Sequence, residues 1–448
     1  MKFQMHTFGC KVNTYDSGLM QKKLHEGGFS SAEKVAAGSP VAQGQIHVLN
    51  TCAVTAEATK EAVRLIRRLK SKDPLATVVV TGCGAQVDTG AFDSLPGADL
   101  VVANSHKSQL PTILQDYFKG KLQGKTFKSN IFKKEELELD GGEEKEHTRS
   151  FLKIQDGCNS FCTYCVIPYA RGKSRSIPMR ELVKNIQGLY QSGVQEVVLT
   201  GIHIGDYEDE VLGQKKYLED LVEELLLKTK MPRFRISSLE PKELSDRLIQ
   251  LYQDPRLCPH FHMSIQSANT ETLTAMKRKY TRQDVMDALL KIEKNISGAY
   301  VGMDVIVGFP TETEEQFAET YQTLHELPWT RLHVFPYSER SGTRAVQLGD
   351  LVSIAEKQSR ARRLRELSTE RFLSLLNQQV GSVKDVLILK KPSKGTHGLT
   401  RDYWPVFVEG LKTEEFMNKE VRVKIRAVVE NERLSQEGHL VGEYAPSN

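Results

Sequence analysis

The sequence of 448 residues lacks most of the features that mark specialised classes of protein. No apolar run comes close to the roughly 18 residues that a membrane-spanning helix needs, and the start at Met1-Lys2-Phe3 has no secretory-signal pattern. Cysteine is scarce, and seven in so long a chain, an odd number, argue against a secreted disulfide framework. The net charge of +4 is too small to predict nucleic-acid binding by itself. We therefore expect a cytoplasmic protein without a membrane segment, whose thiols are reserved for metal.

Three of the cysteines lie close together, Cys158, Cys162 and Cys165, in the run Asp-Gly-Cys-Asn-Ser-Phe-Cys-Thr-Tyr-Cys. A structural zinc site closes with four ligands, and ferredoxins supply four cysteines for each cluster. Three thiolates would leave one iron of a [4Fe-4S] cluster open to a small molecule that binds through amino and carboxylate groups. The alternative is a zinc site with a distant fourth ligand, for instance His147 or Cys258, although zinc ligands usually come as two separated C-x2-C pairs.

The first third of the chain repeats one pattern three times, a strand that ends on a cysteine. Strands at 3–8, 46–49 and 76–80 close at Cys10, Cys52 and Cys83, a fourth strand covers 99–102, and helices cover about 13–27 and 56–70. Alternating strands and helices predict a doubly wound parallel sheet, in which sites form beyond the carboxyl ends of the strands. One such cysteine would be expected to be a small buried apolar residue. Three at the same topological position favour a second metal site with an open corner.

Two resemblances rest on these motifs. The triplet segment resembles the radical S-adenosylmethionine superfamily, which implies that S-adenosylmethionine binds the open iron and is cleaved to a 5′-deoxyadenosyl radical. With Thr-Phe-Gly-Cys-Lys-Val-Asn (7–13), Asn-Thr-Cys-Ala-Val-Thr (50–55) and Val-Thr-Gly-Cys (80–83), the chain resembles the methylthiotransferase family over essentially its whole length. The Gly-Cys-Lys-Val-Asn form looks like the branch that acts on N6-threonylcarbamoyladenosine in tRNA. The isopentenyladenosine branch more typically reads Gly-Cys-Gln-Met-Asn, and the ribosomal-protein branch Gly-Cys-Pro-Lys-Asn.

The middle of the chain repeats strand and helix six times. An acidic linker at 134–147 separates it from the N-terminal domain at 1–133. Strands at 151–154, 195–200, 233–236, 260–265, 301–307 and 331–335 are too few to close an eight-stranded barrel. We therefore predict an open partial (β/α)6 barrel at 148–374, with its chemistry in the loops that follow the strands.

The resemblance implies that these loops bind S-adenosylmethionine. Gly201, His203 and Gly205 would lie near its methionyl group; Ser237, Glu240, Ser264 and Gln266 would address the ribose and amino-acid end, and Ile306, Gly308 and Glu312 the adenine. Turn chemistry is the alternative for the glycines, and helix capping for the serines. The family usually has Gln-Ser-Gly where this chain reads Gln266-Ser267-Ala268. The basic loop from Arg171 to Arg175 fits a ligand carboxylate, an RNA phosphate or solvent equally well.

The C-terminal part, 375–445, follows a basic helix at 357–365 and reads as five or so short strands, which suggests a small all-β barrel. By resemblance this is a TRAM-like RNA-binding domain. Lys390, Lys391 and Lys394 would contact phosphate, and Tyr403 would stack on bases beside Trp404. For either aromatic residue, a place in the barrel core is the alternative.

Together the resemblances imply a tRNA methylthiotransferase. It would use two [4Fe-4S] clusters, and S-adenosylmethionine as radical source and methyl donor, to modify C2 of N6-threonylcarbamoyladenosine at position 37 of tRNA. The expected partners are the tRNA anticodon stem-loop, a reducing partner such as flavodoxin or ferredoxin and a sulfur source, and the protein is expected to be a monomer. Two alternatives stay within the family, isopentenyladenosine in tRNA and a ribosomal protein. A third is a non-catalytic Fe-S protein that binds RNA.

Overall fold

The computed structural model describes residues 1–32, 44–134, 137, 148–349, 351–390, 395–430 and 438–445. Apart from 134 and 137, the predicted acidic linker lies outside these residues, and the predicted domain boundaries remain predictions. None of the described helices is long and apolar enough to cross a membrane. The elements form an N-terminal sheet, a central set of strands and helices, and a C-terminal barrel.

The N-terminal sheet has six parallel strands in the order β2-β1-β3-β4-β5-β6. Its strands are β1 (Lys2–Thr7), β2 (Ser30–Ser31), β3 (Ile46–Thr51), β4 (Thr77–Thr81), β5 (Leu100–Ala103) and β6 (Thr126–Phe127), and its helices are α1 (Lys11–Glu26), α2 (Ala56–Lys72), α3 (Gly82–Val87), α4 (Thr89–Asp93) and α5 (Leu110–Phe118). Helices α1 and α5 share one apolar core with the sheet, and α2 and α4 share another. The sheet is therefore doubly wound, as predicted. The two-residue strands β2 and β6 were not predicted, because they are too short to show a period.

The central region has six long strands, each followed by helix. Its strands are β7 (Arg149–Lys153), β8 (Gln155–Asp156), β9 (Arg175–Ser176), β10 (Glu196–Thr200), β11 (Asp209–Val211), β12 (Gln214–Lys216), β13 (Arg233–Ile236), β14 (His260–Gln266), β15 (Tyr300–Val307) and β16 (Arg331–Pro336). Its helices are α6 (Ile167–Arg171), α7 (Met179–Gln191), α8 (Leu218–Lys228), α9 (Asp246–Leu251), α10 (Thr270–Ala275), α11 (Arg282–Asn295), α12 (Glu314–Glu326) and α13 (Ile354–Asn377). The pairs β8–β9 and β11–β12 are short antiparallel additions.

The six long strands run parallel in chain order, and the prediction of an open partial barrel is confirmed. Strands β7, β10 and β13 form one three-stranded sheet, and β14, β15 and β16 form another. A bridge between Leu239 and Met263 joins the two sheets. All six strands therefore end at the same edge, where the loops that carry the predicted site residues meet.

Helix α1 belongs to two cores at once. Its Met20 and Leu24 pack in the N-terminal sheet, whereas Tyr15 and Leu19 belong to the core of the central barrel. The ammonium of Lys153, at the end of β7, lies 5.2 Å from the centre of the Tyr15 ring. Since the barrel is open beside β7, α1 packs against the edge that a seventh strand would otherwise cover.

The C-terminal strands close a five-stranded barrel in the order β17-β18-β19-β21-β20. They are β17 (Val383–Ile388), β18 (Thr396–Thr400), β19 (Pro405–Glu409), β20 (Glu420–Val429) and β21 (His439–Tyr444), with the short helix α14 (Thr413–Phe416). Buried arginines dock this barrel on the central one. Arg233 pairs with Glu196 at 2.9 Å and with Glu420 at 2.6 Å, and Arg235 donates to the Thr400 carbonyl at 2.8 Å.

Candidate functional site

Cys10, Cys52 and Cys83 follow β1, β3 and β4 at the carboxyl edge of the N-terminal sheet. The strand order reverses between β1 and β3, which is where open α/β sheets form ligand sites. Gly9 has φ +92°, and a Cβ there would lie 2.8 Å from the Sγ of Cys52. The glycine therefore lets the loop that ends on Cys10 pack directly against Cys52.

The three thiols also influence one another's pKa values electrostatically. Burial raises the pKa of Cys52 to about 11, and repulsion from the neighbouring Cys83 and Cys10 thiols adds to the rise. Burial likewise raises the pKa of Cys83 against the opposing charge of Arg171. The structure thus brings together the three cysteines that the sequence grouped by position, and a bound cation would favour their thiolate forms.

Cys158, Cys162 and Cys165 lie at the mouth of the barrel, after β8. The Sγ of Cys158 is 4.0 Å from His203 Nδ1 and accepts from the Ser160 amide at 3.4 Å. Arg278 Nη1 donates to the Sγ of Cys162 at 3.2 Å. Each of these two thiols is therefore held by a polar partner from a different loop.

The pKa values within the triplet diverge. Burial would raise the pKa of Cys158, but the bonds to His203 and to the Ser160 amide outweigh it and the pKa is lowered. Burial raises the pKa of Cys165 to about 12, and the neighbouring Cys162 and Cys158 thiols add to it. The three thiols thus occupy one electrostatically coupled site, in which each cysteine is half-buried.

A buried charge network joins the two groups of cysteines. Arg171, on the helix after Cys165, donates to Asp156 Oδ1 at 2.9 Å, to Asn13 Oδ1 at 2.6 Å and to Asp16 Oδ2 at 3.1 Å. Asp16 also pairs with Lys107 and Lys153, each at 2.7 Å. Burial by itself would raise the pKa of Asp16, but these cations hold that pKa well below its usual range. The open question of the basic loop is thereby answered for Arg171, which binds neither solvent nor RNA.

The loop at Gly201, His203 and Gly205 is clamped from both sides. Gln155 Oε1 accepts from the amides of Ile202 at 3.0 Å and His203 at 2.9 Å. A Cβ at Gly205 would overlap the Glu243 carboxylate. His203 Nε2 lies 2.5 Å from Glu243 Oε1 and 3.3 Å from Glu240 Oε1. A side chain at Gly205 would therefore displace the Glu243 carboxylate from His203, and His203 and Glu240 lie beside the triplet.

The second group of predicted ligands surrounds Arg278. Its Nη2 pairs with Glu240 at 2.8 Å and donates to the Ser264 carbonyl at 3.2 Å. Gln266 has φ +62°, a conformation that costs a non-glycine residue energy and persists mainly at functional sites. The Oγ of Ser237 is buried without a hydrogen-bond partner among the described residues. A polar ligand could use these groups.

The third group of predicted ligands lies around Glu312. Glu312 accepts from the Gly308 amide at 2.6 Å and from Arg360 Nη1 at 2.8 Å, and its side chain is only 1% exposed. Gly308 has φ +67° and packs on Lys357, while Ile306 is half-buried at the mouth. Since the carboxylate of Glu312 is paired inside the protein, it fixes the loop at Gly308. An adenine contact by this loop remains a prediction.

The residues predicted to contact RNA lie in different surroundings. Lys390 is exposed, and its amide donates to Thr148 Oγ1 at 2.6 Å, while Lys391 and Lys394 lie outside the described residues. Tyr403 was expected to stack on RNA, but its ring centre lies 3.9 Å from that of His260 and 5.0 Å beneath Arg235. The ring is half-buried where the two barrels meet, and stacking of Tyr403 on RNA remains a prediction. Trp404 is in the core of the small barrel.

Neither zinc alternative gains support. Cys258 is fully buried, and its charged neighbours are Arg235, Arg233, Glu196 and Arg401, at the opposite end of the barrel from the triplet. His147 lies outside the described residues. Among the described residues, Cys258 is therefore no fourth ligand for the triplet.

The interior of the barrel is polar beneath the cysteines. On β14, β15 and β16 alternate residues are partly exposed, which marks the face toward the lumen. His262 Nε2 lies 3.3 Å from Asp304 Oδ1, its Nδ1 contacts Ser238 Oγ at 3.0 Å, and its ring centre is 5.6 Å from that of His333. Burial lowers the pKa of His333 to about 4. The lumen is therefore lined by hydrogen-bonding groups.

Lys11, the first residue of α1, adds a positive charge to this lumen. It is half-buried, and within the described part of the chain it has no hydrogen-bond or ion-pair partner. Its charge helps to lower the pKa of both His260 and His333, after burial as the main cause. It precedes Tyr15 by four positions and so shares the helix face that packs on the barrel.

Sequence reasoning missed Arg278, Gln155 and Asn104. Arg278 follows a helix end rather than a strand end, inside the unremarkable run Lys277-Arg278-Lys279. Gln155 carries no motif. Asn104 Nδ2 donates to the Ala170 carbonyl at 2.9 Å and lies 3.6 Å from the Sγ of Cys83. Its position just after β5, beside three strand ends that carry cysteines, is a signal that could have identified it.

Two family models match the chain, one around each group of cysteines. The model described as the radical SAM superfamily matches residues 152–324. The model described as uncharacterized protein family UPF0004 matches residues 2–103. The first range contains Cys158, Cys162 and Cys165, and the second contains Cys10, Cys52 and Cys83.

Named proteins resemble the chain over most of its length. It is 36% identical over 430 residues to the threonylcarbamoyladenosine tRNA methylthiotransferase MtaB of Aquifex aeolicus (strain VF5), which covers 95% of this chain and 100% of that protein. It is 30% identical over 403 residues to the tRNA-2-methylthio-N(6)-dimethylallyladenosine synthase of Desulfotalea psychrophila (strain LSv54 / DSM 12343), with 86% and 88% covered. Among solved structures, the radical S-adenosylmethionine methyltransferase TsrM from Kitasatospora setae has a TM-score of 0.56 at 13% identity, over 75% of this chain and 74% of that one. This last likeness concerns the fold alone.

Proposed function

Because the chain belongs to the radical SAM family of tRNA methylthiotransferases, we propose that it adds a methylthio group to C2 of N6-threonylcarbamoyladenosine beside the tRNA anticodon. The proposal includes two [4Fe-4S] clusters, one on each group of three cysteines, and S-adenosylmethionine as both radical source and methyl donor. A reducing partner, a sulfur source and a cytoplasmic setting remain predictions with it, as does a monomeric state.

The donor set fits such clusters at both places. Each site offers three thiols, one fewer than a closed site needs. Near Cys83, the Oδ1 of Asn104 and the Nε of Arg171 are buried without hydrogen-bond partners among the described residues. These two atoms are available to a polar group bound at that site. Bound clusters would supply reducing electrons at the barrel site and an iron that can hold sulfur at the N-terminal site.

The chain's own residues would bind and orient the other reactants. Arg278 is fixed by Cys162, Glu240 and the Ser264 carbonyl, and can present its guanidinium to the carboxylate of an amino acid. Glu240 can accept from an ammonium or a ribose hydroxyl. Gln155 holds the loop at Ile202 and His203 close to the triplet. The buried network at Arg171 fixes the loop of one cysteine site to the helix of the other.

The observation that carries the choice of substrate is the unpaired cation of Lys11 in a polar lumen. In adenine, C2 and C6 lie on either side of N1. A base whose C2 faces the cysteines therefore directs its N6 substituent toward another part of the barrel lumen. A threonylcarbamoyl group ends in a carboxylate and a hydroxyl, which need a cation and hydrogen-bond partners when they leave water. Lys11, His262 and His333 offer both. A dimethylallyl group would leave the cation of Lys11 without a partner.

A direct test uses two RNA stem-loops that differ only in the modified adenosine. One carries N6-threonylcarbamoyladenosine and the other N6-dimethylallyladenosine, and mass spectrometry of the nucleosides detects the methylthio product. We expect the reconstituted, reduced protein to modify only the first. Lys11→Met should lower that product at least tenfold but leave formation of 5′-deoxyadenosine intact, whereas the exposed Lys119→Met should change neither. Modification of the dimethylallyl RNA alone would overturn the choice of substrate.

A second test separates the two cysteine sites. With Cys10, Cys52 and Cys83 replaced by Ala, iron should fall to about half, and S-adenosylmethionine should still give 5′-deoxyadenosine without methylthio product. With Cys158, Cys162 and Cys165 replaced, both products should vanish. If the first variant methylthiolated RNA at the wild-type rate, its cysteines would be structural and the two-site mechanism would be wrong.

A further inference from the structure

A groove runs along the junction between the N-terminal sheet and the central barrel. It consists of two adjoining depressions, of about 600 Å³ and 400 Å³, that share Val87 and Ser341. The first extends along α2 and the second toward α6. We refer to both together as the seam groove. The cysteine chemistry does not use it, although it borders the helix that contains Cys83 and the helix that follows Cys165.

One end of the seam groove is basic. Lys60, Arg64 and Arg67 of α2 line it and are exposed. The helix has six basic and two acidic residues. Lys60 and Arg64 share Glu57, at 4.0 Å and 2.7 Å, but Arg67 has no ion pair among the described residues. One carboxylate therefore serves two of the three cations, and this end keeps a net positive charge.

The other end is aromatic. The rings of Phe132, Phe161 and Tyr169 lie about 6 Å from one another, with Phe132 and Phe161 stacked at 17° and Tyr169 edge-on to both. Phe161 is 36% exposed and Tyr169 is 45% exposed. Phe161 lies between Cys158 and Cys162 and has φ +48°, a conformation that costs a non-glycine residue energy. Exposed aromatic rings of this kind, one of them on a residue with an unfavourable backbone conformation, indicate a binding surface.

Basic and aromatic groups along one groove fit unpaired nucleic acid. Cations bind the phosphates, and bases stack on aromatic rings without regard to sequence. To reach the cysteines at the mouth of the barrel, a base of an RNA loop must leave the stack of its neighbours, which costs free energy. Aromatic rings beside that mouth can restore stacking to the bases that stay outside.

We propose that the seam groove binds the unpaired RNA strand on either side of the target adenosine. Lys60 and Arg67 bind its phosphates, and Phe132, Phe161 and Tyr169 stack on its bases. The inference rests on the proposed function only in that the ligand is RNA. It assigns recognition of the unpaired RNA strand to the seam groove and not to the surface of the small barrel around Tyr403.

The test measures binding of the full-length holoprotein by fluorescence anisotropy. The probes are an anticodon-type RNA stem-loop without modified bases and a blunt RNA duplex of equal length. Phe132→Ala combined with Tyr169→Ala should weaken stem-loop binding about tenfold or more and leave duplex binding unchanged. Lys60→Glu combined with Arg67→Glu should weaken binding of both probes. It should also reduce the slope of log affinity against log salt by about one for each phosphate that is no longer bound.

Matched controls remove the same kinds of side chain elsewhere. Phe118→Ala with Tyr190→Ala deletes two exposed aromatics, and Lys119→Glu with Lys121→Glu reverses two exposed charges, all outside the groove. Phe132→Leu with Tyr169→Leu keeps apolar volume without flat rings and should also lose loop binding. Groove variants that bind like their controls would overturn the inference and leave the tRNA proposal standing. A wild-type protein that binds neither probe would overturn both.

Discussion

Arg171 and Asn13 are 158 positions apart, yet Arg171 Nη2 donates to Asn13 Oδ1 at 2.6 Å. Asn13 also donates to the Phe8 carbonyl at 2.8 Å and so holds the loop that carries Cys10. Arg171 lies on the helix that begins just after Cys165. A single guanidinium therefore ties the loop of one cysteine site to the helix of the other.

We predict that Arg171→Lys destabilises the whole protein. A lysine keeps the charge but cannot reach Asn13, Asp16 and Asp156 together, since an ammonium lacks the guanidinium fork. Breaking a buried ionic network costs about 3–5 kcal/mol. Thermal unfolding should reveal it, and Arg180→Lys, on a side chain that is 85% exposed, is the control expected to change little. Equal melting temperatures for the two variants would contradict the assignment.

Arg278→Lys should weaken binding of S-adenosylmethionine. The change removes at least one hydrogen bond to a charged group, worth about 1.5–3 kcal/mol, and so predicts a loss of about tenfold or more in affinity. Calorimetry on the reconstituted protein measures it. Arg282→Lys in the neighbouring helix, where Arg282 pairs with Glu319 at 2.8 Å, should bind as the wild type does. An unchanged affinity in Arg278→Lys would exclude the guanidinium as a ligand contact.

Cys258→Ala should leave the iron content unchanged. The side chain is fully buried among arginines at the far end of the barrel, so its loss creates only a small cavity. Iron analysis after anaerobic reconstitution is the measurement, with Cys162→Ala as the positive control. A loss of a full cluster from Cys258→Ala would refute the assignment of six cysteine ligands.

Glu196→Gln should reduce the acid sensitivity of the junction between the two barrels. Burial by itself would raise the pKa of Glu196, but Arg235, Arg233 and Arg149 lower that pKa from 4.5 to about 2. A lowered pKa contributes stability above the unfolded value of 4.5, and that contribution disappears as the pH falls toward 2.

The wild type should therefore lose this contribution between pH 4.5 and pH 2, whereas Glu196→Gln should lack it throughout. The measurement is thermal unfolding across that range. The variant should be less stable at neutral pH, because it leaves buried arginines unpaired, and the difference should narrow on acidification. A difference that stays constant with pH would show that the carboxylate charge plays no part.

The sequence predicted the grouping of the six cysteines because strand periodicity assigns loops to one edge of a sheet. It could not predict the network at Arg171, since Asn13 and Asp16 meet that residue only where the N-terminal sheet packs against the central barrel. The contacts of Tyr403 with His260 and Arg235 could not be predicted for the same reason. The pairing of Glu312 with Arg360, 48 positions away, likewise leaves no pattern in the local sequence.

The sharing of α1 between two cores has a consequence for how the enzyme turns over. A helix that contributes Tyr15 to one core and Met20 to the other cannot leave either without exposing apolar surface. Swinging the two halves apart to admit a large RNA would therefore be costly. We therefore expect the nucleotide to enter and leave through the mouth of the barrel while the two halves stay packed together on α1.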